Sequence, residues 1–157
     1  DDVRACHDHR LVHRVEGAYK EYYANIDSEP DPYHVQLLVQ CLFASQHYGG
    51  IIFHYSQIYR KNREYNFGAV VLGYVVLAGY TVGDTKSVTL AATVFRALRK
   101  VWLADFDENT GYPTRITLSD YMMGECFYQA MLKEPANALS YFRKMEHQAS
   151  VMRYTKY

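Results

Sequence analysis

The chain has 157 residues, 49% apolar and 22% charged, which suits one domain with its own core and excludes an intrinsically disordered segment. Lysine plus arginine number 17, as do aspartate plus glutamate, so the basic surplus of a protein held mainly by phosphates is missing. Cys6, Cys41 and Cys126 are too few and too scattered for a disulfide framework or a zinc knuckle, and they fit a reducing compartment.

Residues 3–25 form the first predicted helix, with Leu11, Val15, Ala18, Tyr19 and Tyr22 recurring at steps of three and four. The pattern breaks over 26–30. Asp31-Pro32 restarts it, the aspartate placed to accept from free backbone amides and the proline preset for a first turn. Val35, Leu38, Val39 and Leu42 then share one face, and Gly49-Gly50 is expected to end this helix. Residues 51–61 make the next helix and 62–66 interrupt it. The stretch 67–78 is helical too. Val70, Val71, Val75 and Val76 would suit a buried strand on residue type, but its length and its place between helices decide for helix. The apolar run 69–80 is too short to span a bilayer. Gly83-Asp84 supplies a turn and an N-cap for a long helix over 85–103. Residues 104–117, with Gly111 and Pro113, read as a polar loop. Helices over 119–131 and 136–148 follow, separated by a hinge at 133–135, and the tail to 157 is open to continuing the last helix.

The expected fold is therefore all-α, about seven helices stacked as hairpins in one domain. Three octets can be overlaid: residues 51–58, IIFHYSQI; 91–98, AATVFRAL; and 138–145, ALSYFRKM. Ile51, Ala91 and Ala138 align, as do Tyr55, Phe95 and Phe142, and Ile58, Leu98 and Met145. Helical geometry puts these positions on one face, the seam that stacked hairpins need. The spacings are 40 and 47 residues, the longer one containing the polar loop. The chain divides accordingly into an N-terminal helix and linker (1–30), a first unit (31–66), a second (67–103), an inserted loop (104–117), a third unit (118–148) and a tail (149–157).

In these octets the chain resembles the pentatricopeptide repeat family, whose second helices follow the pattern A-L-x-x-F-x-x-M; residues 138–145 match it closely, 91–98 well and 51–58 loosely. The related tetratricopeptide repeat implies nearly the same fold. The resemblance spans 31–148. It implies a short α-solenoid of roughly three repeats and a mitochondrial, matrix location. Many members bind single-stranded RNA through side chains near the start of each first helix. Here those places hold Leu37, Ala69 and Gly124, none of which hydrogen-bonds a base edge through its side chain. The family reading therefore becomes a non-catalytic structural subunit with protein partners in a larger assembly, a subunit of the ATP synthase head among the candidates. Organellar RNA binding is the alternative.

The basic clusters Arg60-Lys61-Asn62-Arg63, Arg96 with Arg99-Lys100, and Arg143-Lys144 could make a phosphate stripe, but read better as cations at helix C-termini, where they offset the dipole. Cys6, His7, Asp8, His9 and His13 include metal-ligand types, with His9 and His13 four apart; no second paired set follows, so a surface cluster is expected. Asp105, Asp107, Asn109 and Gly111 fail as a calcium loop, because Thr110 stands where the glycine belongs and Ile116 where the bidentate glutamate belongs. No phosphate-cradling glycine motif, nucleophile elbow or HExxH is present, and no enzyme activity, cofactor or metal is expected. Sixteen tyrosines suit half-buried rims and interfaces. No signal or transit peptide is readable, and the opening Asp-Asp without methionine suits a processed form.

Overall fold

The computed structural model describes residues 9–25, 29–114 and 116–155. Among them seven α-helices carry the fold: α1 (His9–Asn25), α2 (Pro32–Ala44), α3 (Tyr48–Lys61), α4 (Gly68–Val82), α5 (Thr85–Ala104), α6 (Leu118–Lys133) and α7 (Ala138–Thr155). The all-α class is as expected. The part of the first predicted helix before His9 lies outside the described residues.

Helix α4 is the centre. Residues 69–79 are all buried, and a helix apolar on every side must be covered on every side. It is covered by α2, α3, α5, α6 and α7. Two glycines let the covering helices in. A Cβ on Gly73 would lie 2.1 Å from the Phe127 ring, and one on Gly79 would lie 2.3 Å from Val88 Cγ2. Phe127 thus rests on the bare backbone of α4, and the α4–α5 hairpin closes tightly. An aromatic cluster grows from this point: Phe127 stacks on Phe142 at 4.6 Å, Tyr74 meets Phe127 at 4.9 Å, and Phe43 meets Tyr74 at 4.5 Å.

The caps at Asp31 and Asp84 are where the sequence puts them, and Thr117 adds a third. Asp31 accepts from Tyr33 N, Asp84 from Ser87 N, and Thr117 from Asp120 N. Gly83 ends α4 with φ 76°. Other boundaries differ. Gly49-Gly50 does not end α2; both lie in the first turn of α3. The termination is made earlier, by a left-handed Gln46 (φ 64°), with His47 N donating to Leu42 O and Gln46 N to Phe43 O. The expected polar loop contains a short antiparallel hairpin, β1 (Phe106–Asp107) with β2 (Tyr112–Pro113). Asp107 holds the turn, its side chain accepting from Asn109 N and its carbonyl from Gly111 N, with Gly111 at φ 79°. The last helix starts after a 3-10 turn over Pro135–Asn137 and runs to Thr155, so it continues into the tail. Cys41, expected as a thiol, is disulfide-bonded, while Cys126 is free.

The repeat-core positions lie on α3, α5 and α7. Ile51, Tyr55, Ile58, Ala91, Phe95, Ala138 and Phe142 are buried; Leu98 and Met145 are half-buried. In a strict stack each unit touches only its neighbours. Here the third unit also reaches the first: Phe142 packs edge-on against Phe43 at 6.1 Å, and Arg143 donates to the Tyr48 hydroxyl at 2.7 Å. Among the described residues helix α5 has no such cover. It packs on α4 and touches the hairpin, and it meets α6 through Arg99–Glu125 and through Trp102, whose ring lies over Gly124.

Candidate functional site

The packing leaves α5 with one side in the core and one side open. Val88, Ala91, Ala92, Phe95 and Trp102 face inward. Thr89, Thr93, Val94, Arg96, Ala97, Lys100, Val101 and Ala104 are exposed. Among the described residues, five of the nine large apolar side chains in solvent fall on α5, the hairpin and the start of α6; Tyr33, Phe53, Val82 and Leu132 lie elsewhere. Val94 and Val101 on α5, Phe106 in the hairpin, and Leu118 and Met122 at the start of α6 are each more than two-fifths exposed. They fall in one stretch of chain, on two helices and a hairpin that touches both. Single exposed apolar side chains need no explanation, whereas such a concentration marks a contact surface.

At the N-terminal end of α5 lies a concavity of about 390 Å³. Tyr55, Ser56, Tyr59, Arg60 and Arg63 line it from the α3 side, and Asp84, Lys86, Ser87 and Leu90 from the α5 side. Tyr55 and Tyr59 stack with their ring planes 17° apart. Arg60, Arg63 and Lys86 form no salt bridge among the described residues. Asp84 is already engaged, accepting from both the amide and the hydroxyl of Ser87. The concavity therefore carries a positive excess.

The three basic clusters are not one stripe. Arg143 bonds Tyr48 in the first turn of α3, while Arg60 sits in its last turn, about 18 Å along the axis at 1.5 Å per residue. Arg99 is spent: its Nε and Nη2 donate to Glu125 at 2.7 and 3.0 Å, and its guanidinium lies 3.8 Å from the Tyr128 ring centroid. The helix-terminus explanation holds for Arg60 and Lys61. It does not hold for Arg96 or Arg143-Lys144, because α5 and α7 continue well beyond them. Lys86, which brings the second element to the pocket, belongs to none of the clusters visible in sequence.

The remaining candidates are accounted for individually. Ala69 and Gly124 are buried and Leu37 is half-buried, so two of the three base-reading places are withdrawn from solvent. Gly124 has a specific reason to be glycine: a Cβ there would come within 2.8 Å of the Trp102 ring. Of the N-terminal metal-ligand types, residues 6–8 lie outside the described residues, and His13 meets His47 edge-on at 5.7 Å. No group of three or more metal-ligating side chains occurs among the described residues. One buried polar group was not singled out in sequence. His54, 1% exposed, has Nε2 3.4 Å from Glu16 Oε1, so it anchors α1 to α3. Burial lowers its pKa, with Glu16 pulling the other way and Lys20 adding to the lowering. No helix among the described residues is long and apolar enough to cross a membrane.

Comparison with protein-family models, with curated proteins and with solved structures gave no match.

Proposed function

We propose that this chain is a non-catalytic, protein-binding subunit of a larger assembly. The observation that carries the reading is the run of exposed apolar side chains Val94, Val101, Phe106, Leu118 and Met122 on α5, the hairpin and the start of α6. A net charge of zero fits the same role, since a permanent subunit needs little colloidal repulsion of its own. The octet pattern adds the family context. In size, repeat count and lost base-reading places the chain resembles the accessory subunit attached to the catalytic head of mitochondrial ATP synthase in euglenozoan protists. That resemblance names the matrix as the compartment and a head subunit as the partner. Native purification followed by mass spectrometry tests the reading. A stoichiometric protein partner that survives nuclease supports it, and recovery of the chain alone or with RNA overturns it.

Single-stranded RNA binding is the second reading, and the concavity favours it: Arg60, Arg63 and Lys86 are free to take phosphates, and Tyr59 is placed to stack on a base. Under this reading affinity falls steeply with salt and drops at least tenfold in Arg60→Ala/Arg63→Ala. Filter binding that shows no RNA retention at low salt excludes it.

A further inference from the structure

We infer that the outer face of α5 docks an acidic amphipathic helix of a protein partner, laid along α5 as the second strand of a short coiled coil. This rests on the protein-binding reading above and gives it a place and a chemistry. Leu90, Val94, Ala97, Val101 and Ala104 follow one another at steps of four, three, four and three residues. That is the a/d spacing of heptads, with valines at a and Leu90, Ala97 and Ala104 at d. Leu90 is half-buried and the other four are exposed. The small d residues keep the seam shallow, so a second helix can approach closely. The opposite side of α5 supplies the core, and of the seam only Leu90 packs against it.

The charge around the seam selects the partner. Helix α5 carries Lys86, Arg96, Arg99 and Lys100 and no aspartate or glutamate. Arg99 is bound to Glu125, which leaves the other three. Lys86 and Lys100 are 14 residues apart, two heptads, and both fall at g, the position that meets e on a partner helix. Thr93 holds the g position between them, its hydroxyl turned back to the Thr89 carbonyl at 2.8 Å. The seam also begins inside the basic concavity, since Leu90 and Lys86 line it together with Arg60 and Arg63. Lysines thus stand at both ends of one flank of the apolar stripe, with Thr93 between them. An antiparallel second copy of α5 would set Lys86 against Lys100, and a parallel one would set Lys86 against Ala91, with no carboxylate to meet it. A nucleic acid would satisfy the cations but leave the aliphatic seam wet.

The test uses the full chain and three labelled probes read by fluorescence anisotropy: a four-heptad helix with Leu at a and d and Glu at e and g, the same helix with Lys at e and g, and oligouridylate. The expected result is at least tenfold tighter binding of the Glu helix than of the Lys helix. Val94→Glu/Val101→Glu should weaken the Glu helix at least tenfold with an unchanged circular-dichroism melt. Lys86→Glu/Lys100→Glu should reverse the preference to the Lys helix, which a general loss of folding would not do. Equal binding of both helices, displacement of the Glu helix by oligouridylate, or a concentration-dependent dimer abolished by Val94→Glu/Val101→Glu would each overturn the inference. Native purification of the Val94→Glu/Val101→Glu chain separates the two levels. A partner retained at full stoichiometry rejects the α5 face and leaves the protein-binding reading standing, whereas a wild-type chain with no protein partner rejects both.

Discussion

Gln46 occupies a left-handed conformation (φ 64°) at the end of α2. A side chain with a Cβ costs about 1–2 kcal/mol there, while glycine visits the region freely. The residue is exposed, so nothing in the packing compensates. Gln46→Gly is expected to raise stability by roughly 1 kcal/mol, less the entropy that glycine gains in the unfolded chain; a urea midpoint equal to or below wild type would contradict this. His54 supplies a pH dependence. Burial lowers its pKa below 6.5, so the folded state holds the neutral ring. As pH drops below about 6.5 the unfolded chain takes up a proton that the folded chain resists. Stability is therefore full above that value and falls below it, by at most about 1.4 kcal/mol per pH unit for one group. Acid titration of the chemical-denaturation midpoint should show this fall, and His54→Gln should remove part of it. Cys126 is the accessible counterpart. Burial first, then Glu146 and Glu125, push its thiol pKa up. It should alkylate more slowly at neutral pH than an unburied thiol, and Cys41 should stay unlabelled until a reductant is added.

At the scale of elements, the informative contacts are those where glycine removes a side chain. Gly73, Gly79 and Gly124 each meet a neighbour closer than any Cβ could. The facing groups are a Phe127 ring, a Val88 methyl and the Trp102 ring. Gly73→Ala and Gly79→Ala should each cost about 1–3 kcal/mol through overpacking, although alanine is the better helix former. Gly49, with nothing near its Cβ position, is the control: Gly49→Ala should stabilise α3 slightly. Thermal melts of the three variants give the comparison directly. These contacts also mark what the sequence could say. The helical nature of 67–78 was readable from its length and neighbours, and the caps at Asp31 and Asp84 from side-chain chemistry, because both are local properties. The role of Gly73 was not, because it depends on Phe127 arriving from more than fifty residues away. Gly49-Gly50 misled for a related reason: glycine commonly stops helices, but here Gln46 bears the left-handed turn three residues earlier. The two-residue strands were invisible because alternation needs more residues than they contain. In the candidate site, Arg60 and Arg63 were legible as a cluster. Lys86 was not, because only the α3–α5 juxtaposition joins it to them.

For the molecule as a whole, closure around α4 concentrates aromatic hydroxyls in the interior, and this sets its behaviour in base. Burial, with Tyr59 nearby, pushes the Tyr55 hydroxyl up to about 12. Burial, with Glu146 nearby, pushes Tyr74 up as well. Tyr55 belongs to the α3 seam. Tyr74 lies in the aromatic cluster with Phe43, Phe127 and Phe142, which ties the first, second and third units together. Both groups stay protonated in the folded chain above the pH of about 10 at which the unfolded chain loses its phenolic protons. The unfolded state therefore binds fewer protons there, and stability must decline as pH rises. Below about 10 both states are protonated, and these two groups leave the stability flat. Two such tyrosines make the decline steeper by up to about 2.8 kcal/mol per pH unit between 10 and 12. Urea unfolding at steps from pH 8 to 11.5 should show a plateau followed by this fall. Tyr74→Phe keeps the ring in the cluster and removes the ionisable proton, so it should roughly halve the alkaline slope without moving the plateau below pH 9. A Tyr74→Phe chain that loses stability equally at pH 8 and pH 11 would mean that the hydroxyl matters as a packed polar group, and that the titration of this cluster does not govern the alkaline limit of the fold.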